Sequence, residues 1–229
     1  MWQGLHQEFQ AHDVDVVAIG IELDAAVCHQ YIDKAPELAA AGLSLIDSTH
    51  TTVSHLNFRN VPMALWVNED GTIALAAHHS PVTPGWGDRP IPEGIPPRMA
   101  GRIELLKAAT DRHLEYLATL RRWVETGEAP SPSHETLNPA QAQAMAAFEL
   151  GDHFRLTGDT LAMVECWRAA HRLDPDNWSA KRQAWSLVTT PTDGPRDLVQ
   201  EDTGPYDGNW LDDLIAVGGI DRYYPPAPW

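Results

Sequence analysis

Asn60-Val61-Pro62-Met63-Ala64-Leu65-Trp66-Val67-Asn68-Glu69-Asp70-Gly71-Thr72-Ile73 is the stretch whose reading decides the fold. It reads as loop, X-Pro break, buried strand, tight turn and returning strand. The proline ring clashes with the backbone before it and holds that residue extended, so Val61-Pro62 delivers an extended chain to Met63. Met63 to Val67 is an unbroken apolar run of strand length, the pattern of a strand covered on both faces. Asn68-Glu69-Asp70-Gly71 is rich in turn formers and ends on glycine, which takes positive φ without strain. The next strand therefore returns antiparallel, with Ile73, Leu75 and Ala77 expected on one face.

Upstream, Leu5 and Phe9 share a helical face at the end of a short helix that runs from Gly4 to His12. Val14-Asp15-Val16-Val17-Ala18-Ile19-Gly20-Ile21 is β-branched and reads as a buried parallel strand. Asp24 is placed to cap a helix from Ala25 to about Ala41, with Gly42 as its stop. Leu43 to Asp47 is a third strand, and Thr51 to Asn57 is a short helix or turn leading to the proline.

This order of helix, strand, helix, strand, short helix, proline, strand, turn and strand resembles the thioredoxin fold. The closer resemblance is to its TlpA/ResA-like and redoxin branch, and it covers about residues 1–79. In that branch a Val-Pro or Thr-Pro with a cis bond precedes a buried strand, and an Asp-Gly turn leads to the last strand. Leu5-His6-Gln7-Glu8-Phe9 is similar to the Leu-His-Glu-Glu-Tyr type of sequence that ends the family's active-site helix. The resemblance implies that Val61 and Pro62 occupy the position whose backbone contacts thiol substrates in active members, so they are the candidate peptide-binding residues. A structural turn is the competing role.

The departure from the family concerns chemistry. There a central strand runs into a Trp-Cys-X-X-Cys turn, and the helix start lowers the nucleophilic thiol's pKa. In this chain that strand and turn would lie before Met1. The missing strand would lie between the Val14–Ile21 strand and the one after Pro62. Either those two pair directly, another segment fills the gap, or the sequence is the remainder of a longer reading frame.

Cys28 and Cys166 are the only cysteines and form neither a CxxC nor a zinc spacing. Cys28 sits near an expected helix start, where the dipole favours a thiolate, and is the sole candidate for thiol chemistry of a peroxidase type. Isolated cysteines in a chain of this size are usually inert buried thiols. His50 and His55, with His78 and His79, complete no recognised metal spacing. No nucleophile elbow, phosphate loop or dinucleotide fingerprint is present, and no cofactor is expected.

Downstream, residues 80–97 are proline-rich, with a Gly85-Trp86-Gly87 triplet, and read as a loop. Arg98 to Thr126 reads as one long helix with Ile103, Leu106, Leu114, Leu117, Leu120 and Val124 at helical spacing, ended by Gly127. Pro130-Ser131-Pro132 is a second linker. Counting back from Pro175 places Leu150, Gly151, Phe154, Gly158, Trp167 and Ala170 where a repeat of about 34 residues, the tetratricopeptide repeat, has its signature positions. The region 144–177 therefore resembles one such repeat, with Ala147 and Met163 as departures, and Trp178 to Leu187 is the helix expected to pack on it. A generic antiparallel helix pair predicts nearly the same shape. Residues 191–229 form an acidic tail that is too aromatic to stay solvated. A short helix capped by Asn209 and running to about Val217 is expected there, with the aromatics docked on the body.

The chain has 229 residues, enough for one large or two small domains, with ordinary apolar (43%) and charged (21%) content. A net charge of -16 argues against nucleic acid as a partner, since phosphate binding needs clustered Lys and Arg. No apolar run approaches the ~20 residues of a membrane span, and the start is unlike a signal peptide, so the sequence as written reads as cytoplasmic. An upstream start would allow an extracytoplasmic site. The expected architecture is α/β: a partial thioredoxin-like sheet at 1–79, the loop at 80–97, a helical module at 98–190 and the tail at 191–229. The expected function is redox-inactive protein interaction through the helical module. The alternative is a thiol-disulfide oxidoreductase whose cysteines lie upstream.

Overall fold

The computed structural model describes residues 2–81, 90, 93–94, 100, 103, 107, 112–130, 137–187, 210–226 and 229. The chain is mixed α/β and divides into two compact units. Met1–Phe58, Pro62–His134 and Pro226–Trp229 form the first, and Arg59–Val61 with Glu135–Pro225 the second.

In the first unit α1 (Trp2–Phe9) runs through a 3-10 turn into β1 (Ala18–Ile21). The strand is shorter than the expected 14–21 because Val14 and Val16 pack against the core as extended chain without ladder bonds. Asp24 caps α2 (Ala25–Ile32), its carboxylate accepting from the Ala26 amide at 3.0 Å. The expected single helix to Ala41 is two, because Pro36 lacks an amide donor and begins α3 (Pro36–Ala40). Gly42, at φ +71°, turns the chain into β2 (Ser44–Asp47), which pairs parallel with β1. Asp47 accepts from the amides of Thr49, Thr51 and Thr52, and so satisfies the start of α4 (Thr51–Leu56).

β3 (Met63–Val67) and β4 (Ile73–His79) pair antiparallel across the Asn68–Gly71 turn, with Asn68 N donating to Thr72 O at 2.8 Å. The register shifts on both sides of Trp66, so the expected inward face of Ile73, Leu75 and Ala77 is not kept. Ile73 is exposed, and the buried positions of β4 are Ala74, Leu75, His78 and His79. Among the described residues, β1–β2 and β3–β4 are separate two-stranded sheets, with no ladder joining β1 to β3.

The helix α5 (Arg112–Thr126) closes this unit. Tyr116 and Leu120 join Leu5, Phe9, Trp66, Ala74 and Leu75 in one buried cluster, while Leu114, expected on the apolar face, is exposed. Arg121 grips the Glu8 carboxylate of α1 with two bonds, Nε at 2.6 Å and Nη2 at 3.0 Å. Most of the expected helix before residue 112 lies outside the described residues, although Ile103 is helical and buried.

In the second unit α6 (Pro139–Thr157) opens on a capping box between Asn138 and Gln141. Gly158, at φ +82°, reverses the chain into α7 (Thr160–Leu173), which Asp159 caps. The two helices form an antiparallel hairpin. It closes on Gly151, where a Cβ would overlap the fully buried Trp167 indole. Trp167 stacks on Phe148 with ring centroids 5.8 Å apart and donates Nε1–H to the Phe148 carbonyl at 3.2 Å. Phe148 was unassigned by the repeat pattern, whereas Leu150 is 48% exposed. The helices α8 (Trp178–Leu187), α9 (Trp210–Ala216) and α10 (Ile220–Tyr223) complete the unit. The expected cap Asn209 lies outside the described residues.

Candidate functional site

The residues singled out by the sequence are not brought together as a reaction centre. Val61 and Pro62 are both exposed, Val61 belonging to the second unit and Pro62 to the first. Val61 N donates to the Asn60 side chain at 2.8 Å, and the Pro62 carbonyl accepts from Ser80 N at 3.1 Å. Cys28 is buried on α2, where its Sγ leaves no room for a Cβ on Gly20 of β1. Burial, then the carboxylates of Glu22 and Asp24, push its thiol above the ordinary range, opposite to what a nucleophile requires. Both cysteines are free thiols. His50, His78 and His79 are buried, and among the described residues no group of three or more His, Cys, Asp or Glu is set to hold a metal ion.

What the first unit does assemble is an aromatic cluster on β3, β4 and α5. Trp66 stacks on Trp123, with centroids 5.1 Å apart, and presents its edge geometry to Tyr116 at 6.2 Å and His78 at 5.5 Å. Its indole donates to the Tyr116 hydroxyl at 3.3 Å. Trp229 lies against three of these rings, at 5.9 Å from Trp66, 5.9 Å from His78 and 6.1 Å from Tyr116.

His78 is the polar member of this cluster. Its Nδ1 is 2.9 Å from the Ala76 carbonyl. A carbonyl only accepts, so Nδ1 carries the proton and Nε2 is left as an acceptor. That Nε2 is buried and has no hydrogen-bond partner among the described residues. Burial holds the imidazole below its ordinary pKa, with the Ala76 bond opposing in part, so it is neutral at neutral pH. Burial raises the Tyr116 phenol far above its usual range, outweighing the Trp66 bond. The ring set is therefore uncharged, and its chemistry is aromatic stacking plus an acceptor at His78.

The second unit carries a buried charge network of a different kind. Arg59 pairs with Asp174, and Ser179 N donates to the Arg59 carbonyl at 3.0 Å. Lys181 is buried, 3.0 Å from the Asp213 carboxylate and with its ammonium 4.4 Å above the Trp178 ring. Burial lowers the Lys181 pKa against the pull of Asp213, and burial raises that of Asp174 against the pull of Arg59. Asn60 donates to the Tyr223 carbonyl at 2.6 Å, and the Tyr223 ring meets Trp178 edge-on at 4.8 Å. These contacts tie the 59–61 segment, α8, α9 and α10 together, a structural role for buried ions paired on both sides.

Sequence reasoning missed Tyr116 and the convergence on Trp66. The available signals were Trp66 in the apolar strand and a Tyr116–Leu120–Trp123 spacing on α5 that the leucine pattern overshadowed. Among the described residues no helix is long and apolar enough to cross a membrane. Comparison with known family models, characterised proteins and solved structures finds no match.

Proposed function

We propose that this chain joins a thioredoxin-type α/β unit without a CxxC to a tetratricopeptide-type helical hairpin. On this reading it binds a protein partner through the helical unit and does not exchange disulfides. The observation that carries the interaction reading is the exposure of large apolar side chains around the hairpin. Leu156 and Leu161 flank the Gly158 reversal at 70% and 82% exposure, and Leu150 on α6 is 48% exposed. Scattered single leucines are ordinary on surfaces, but several on one short hairpin support a partner-binding role for it. A single repeat of this type does not bury a core alone, which supports a partner for it. The net charge of -16 supports a protein and not a nucleic acid in that role.

The thioredoxin-type reading rests on the parallel β1–β2 pair and on the antiparallel β3–β4 pair that follows Pro62, together with the residue pattern. The lack of a β1–β3 ladder among the described residues favours a second reading. In it, a cysteine-bearing strand outside this sequence completes the sheet, and the whole protein is a thiol-disulfide oxidoreductase.

The test of the interaction face is a photoreactive phenylalanine analogue placed at position 161 or, as control, at Glu69 of the β3–β4 turn. A discrete adduct in cells from position 161 alone is expected. Equal labelling from both positions would count against the hairpin as the binding face.

A further inference from the structure

The aromatic cluster of the first unit is completed from the far end of the chain. Glu135–Pro225 belong to the second unit, while Pro226–Trp229 belong to the first. Trp229 is half-buried, whereas Trp66 and Tyr116 beneath it are buried at 3% and 0% exposure. Trp229 packs within reach of Trp66, His78 and Tyr116, yet its buried Nε1–H has no partner among the described residues. On the facing ring, His78 Nε2 is an acceptor that also has none. Trp66 and Trp167 bond their indole N–H, whereas Trp229, like the buried Trp178, does so with none of the described residues; at Trp229 the facing ring offers an acceptor that is itself unengaged by them. Trp229 lies tilted against Trp66 and Tyr116 and edge-on to His78, with its indole N–H and the His78 acceptor both unengaged by the described residues.

The sequence that carries Trp229 is Tyr223-Tyr224-Pro225-Pro226-Ala227-Pro228-Trp229. Proline-rich segments lose little conformational freedom on docking, and aromatic-lined surfaces are their usual receptors. We propose that Trp66, His78 and Tyr116 form a seat for a proline-rich segment bearing a tryptophan. The chain's own tail is its occupant in cis, and the same segment offered in trans competes for the seat. His78 Nε2 is the acceptor for the incoming indole N–H, and Trp66 and Tyr116 supply the ring surfaces it leans on.

The test uses the full chain and a fluorescein-labelled peptide of the sequence Tyr-Tyr-Pro-Pro-Ala-Pro-Trp, followed by fluorescence anisotropy. In the Trp229→Ala chain the seat is vacated, and the peptide binds about tenfold or more tightly than to the intact chain, whose tethered tail competes at high effective concentration. A peptide ending in alanine in place of tryptophan does not bind. Equal binding to both chains, or no binding to a folded Trp229→Ala chain, overturns the proposal. A second measurement does not depend on that substitution. In the wild-type chain with fluorinated tryptophan, excess unlabelled peptide moves the Trp229 resonance to the position it has in the free peptide. A resonance that stays in place overturns the proposal as well.

Discussion

His78 and Trp229 meet with ring centroids 5.9 Å apart and planes at 70°, an acceptor nitrogen on one ring and a donor nitrogen on the other, neither with a hydrogen-bond partner among the described residues. The imidazole stays neutral there because burial disfavours its charged form. A His pKa lowered on folding contributes stability that is fully present above the unfolded value, near 6.5, and is lost as pH falls toward the folded value. The first unit is therefore expected to lose stability below about pH 6.5, and His78→Phe, which keeps a ring but cannot be protonated, should flatten that slope. Urea midpoints between pH 7 and 5, followed by tryptophan fluorescence, check this. Identical slopes for the two proteins would contradict it.

His171 on α7 obeys the same sign in the second unit. Burial, then the positive charges of Lys181 and Arg172, lower its pKa to about 3, opposed by the bond the imidazole makes to the Ala180 backbone. The native state resists protonation over the whole interval from about 6.5 down to 3, each pH unit costing on the order of 1 kcal/mol. NMR titration of the imidazole should show His171 neutral at pH 5. A midpoint near 6.5 would refute the buried, neutral assignment.

Gly151 is expected to be intolerant even of alanine. A Cβ there meets the Trp167 indole, and Trp167 is held by stacking on Phe148 and by its bond to the Phe148 carbonyl. Overpacking a filled core costs about 1–3 kcal/mol. Gly151→Ala should lower the urea midpoint of the helical unit by a corresponding amount, whereas Leu161→Ala, at an exposed position, should leave it within about 0.5 kcal/mol. An equal effect of the two would mean the hairpin is not closed at Gly151.

The Lys181–Asp213 pair is expected to act as a latch for α9. Removing one partner of a buried pair leaves the other charge uncompensated, a loss of ~3–5 kcal/mol when both are buried. Asp213 is 21% exposed, so about 2 kcal/mol is expected for Asp213→Ala. Replacing Lys181 by methionine together with Asp213→Leu should cost less than Asp213→Ala alone, because no charge is stranded. Thermal unfolding of the three proteins ranks them. A double variant less stable than Asp213→Ala would sink this account.

Cys28 should resist alkylation. It is buried, and both burial and nearby carboxylates hold it as the thiol, whereas Cys166 is only half-buried. Iodoacetamide at pH 7 is expected to label Cys166 first and Cys28 only on unfolding. Rapid stoichiometric labelling of Cys28 at pH 6 would revive a peroxidase-type role for it.

Much of the local structure was legible because it follows from short-range chemistry. Asp24 is a cap, Gly42 and Gly158 take positive φ, and Trp178 to Leu187 is helical as the pattern states. What was not legible depends on partners distant in sequence. The bulges around Trp66 moved the buried face of β4, so Ile73 faces outward and His78 inward. The leucine spacing of α5 pointed to Leu114, but the core took Tyr116, because only Tyr116 offers Trp66 both a ring and a hydroxyl. Pro36 is a local signal for the break between α2 and α3. The seat for Trp229 had no local signal, since its members come from β3, β4, α5 and the last residues of the chain.

The measurement that tests the central functional claim most directly is insulin reduction by the protein as the cell makes it, with dithiothreitol as the electron source. The account predicts precipitation no faster than with dithiothreitol alone, since Cys28 is buried and protonated and Cys166 belongs to the other unit. Acceleration above that background would contradict it and establish a disulfide reductase. Loss of the acceleration in Cys28→Ser would assign the chemistry to Cys28, and its persistence in the Cys28→Ser, Cys166→Ser double variant would assign it to cysteines outside these 229 residues.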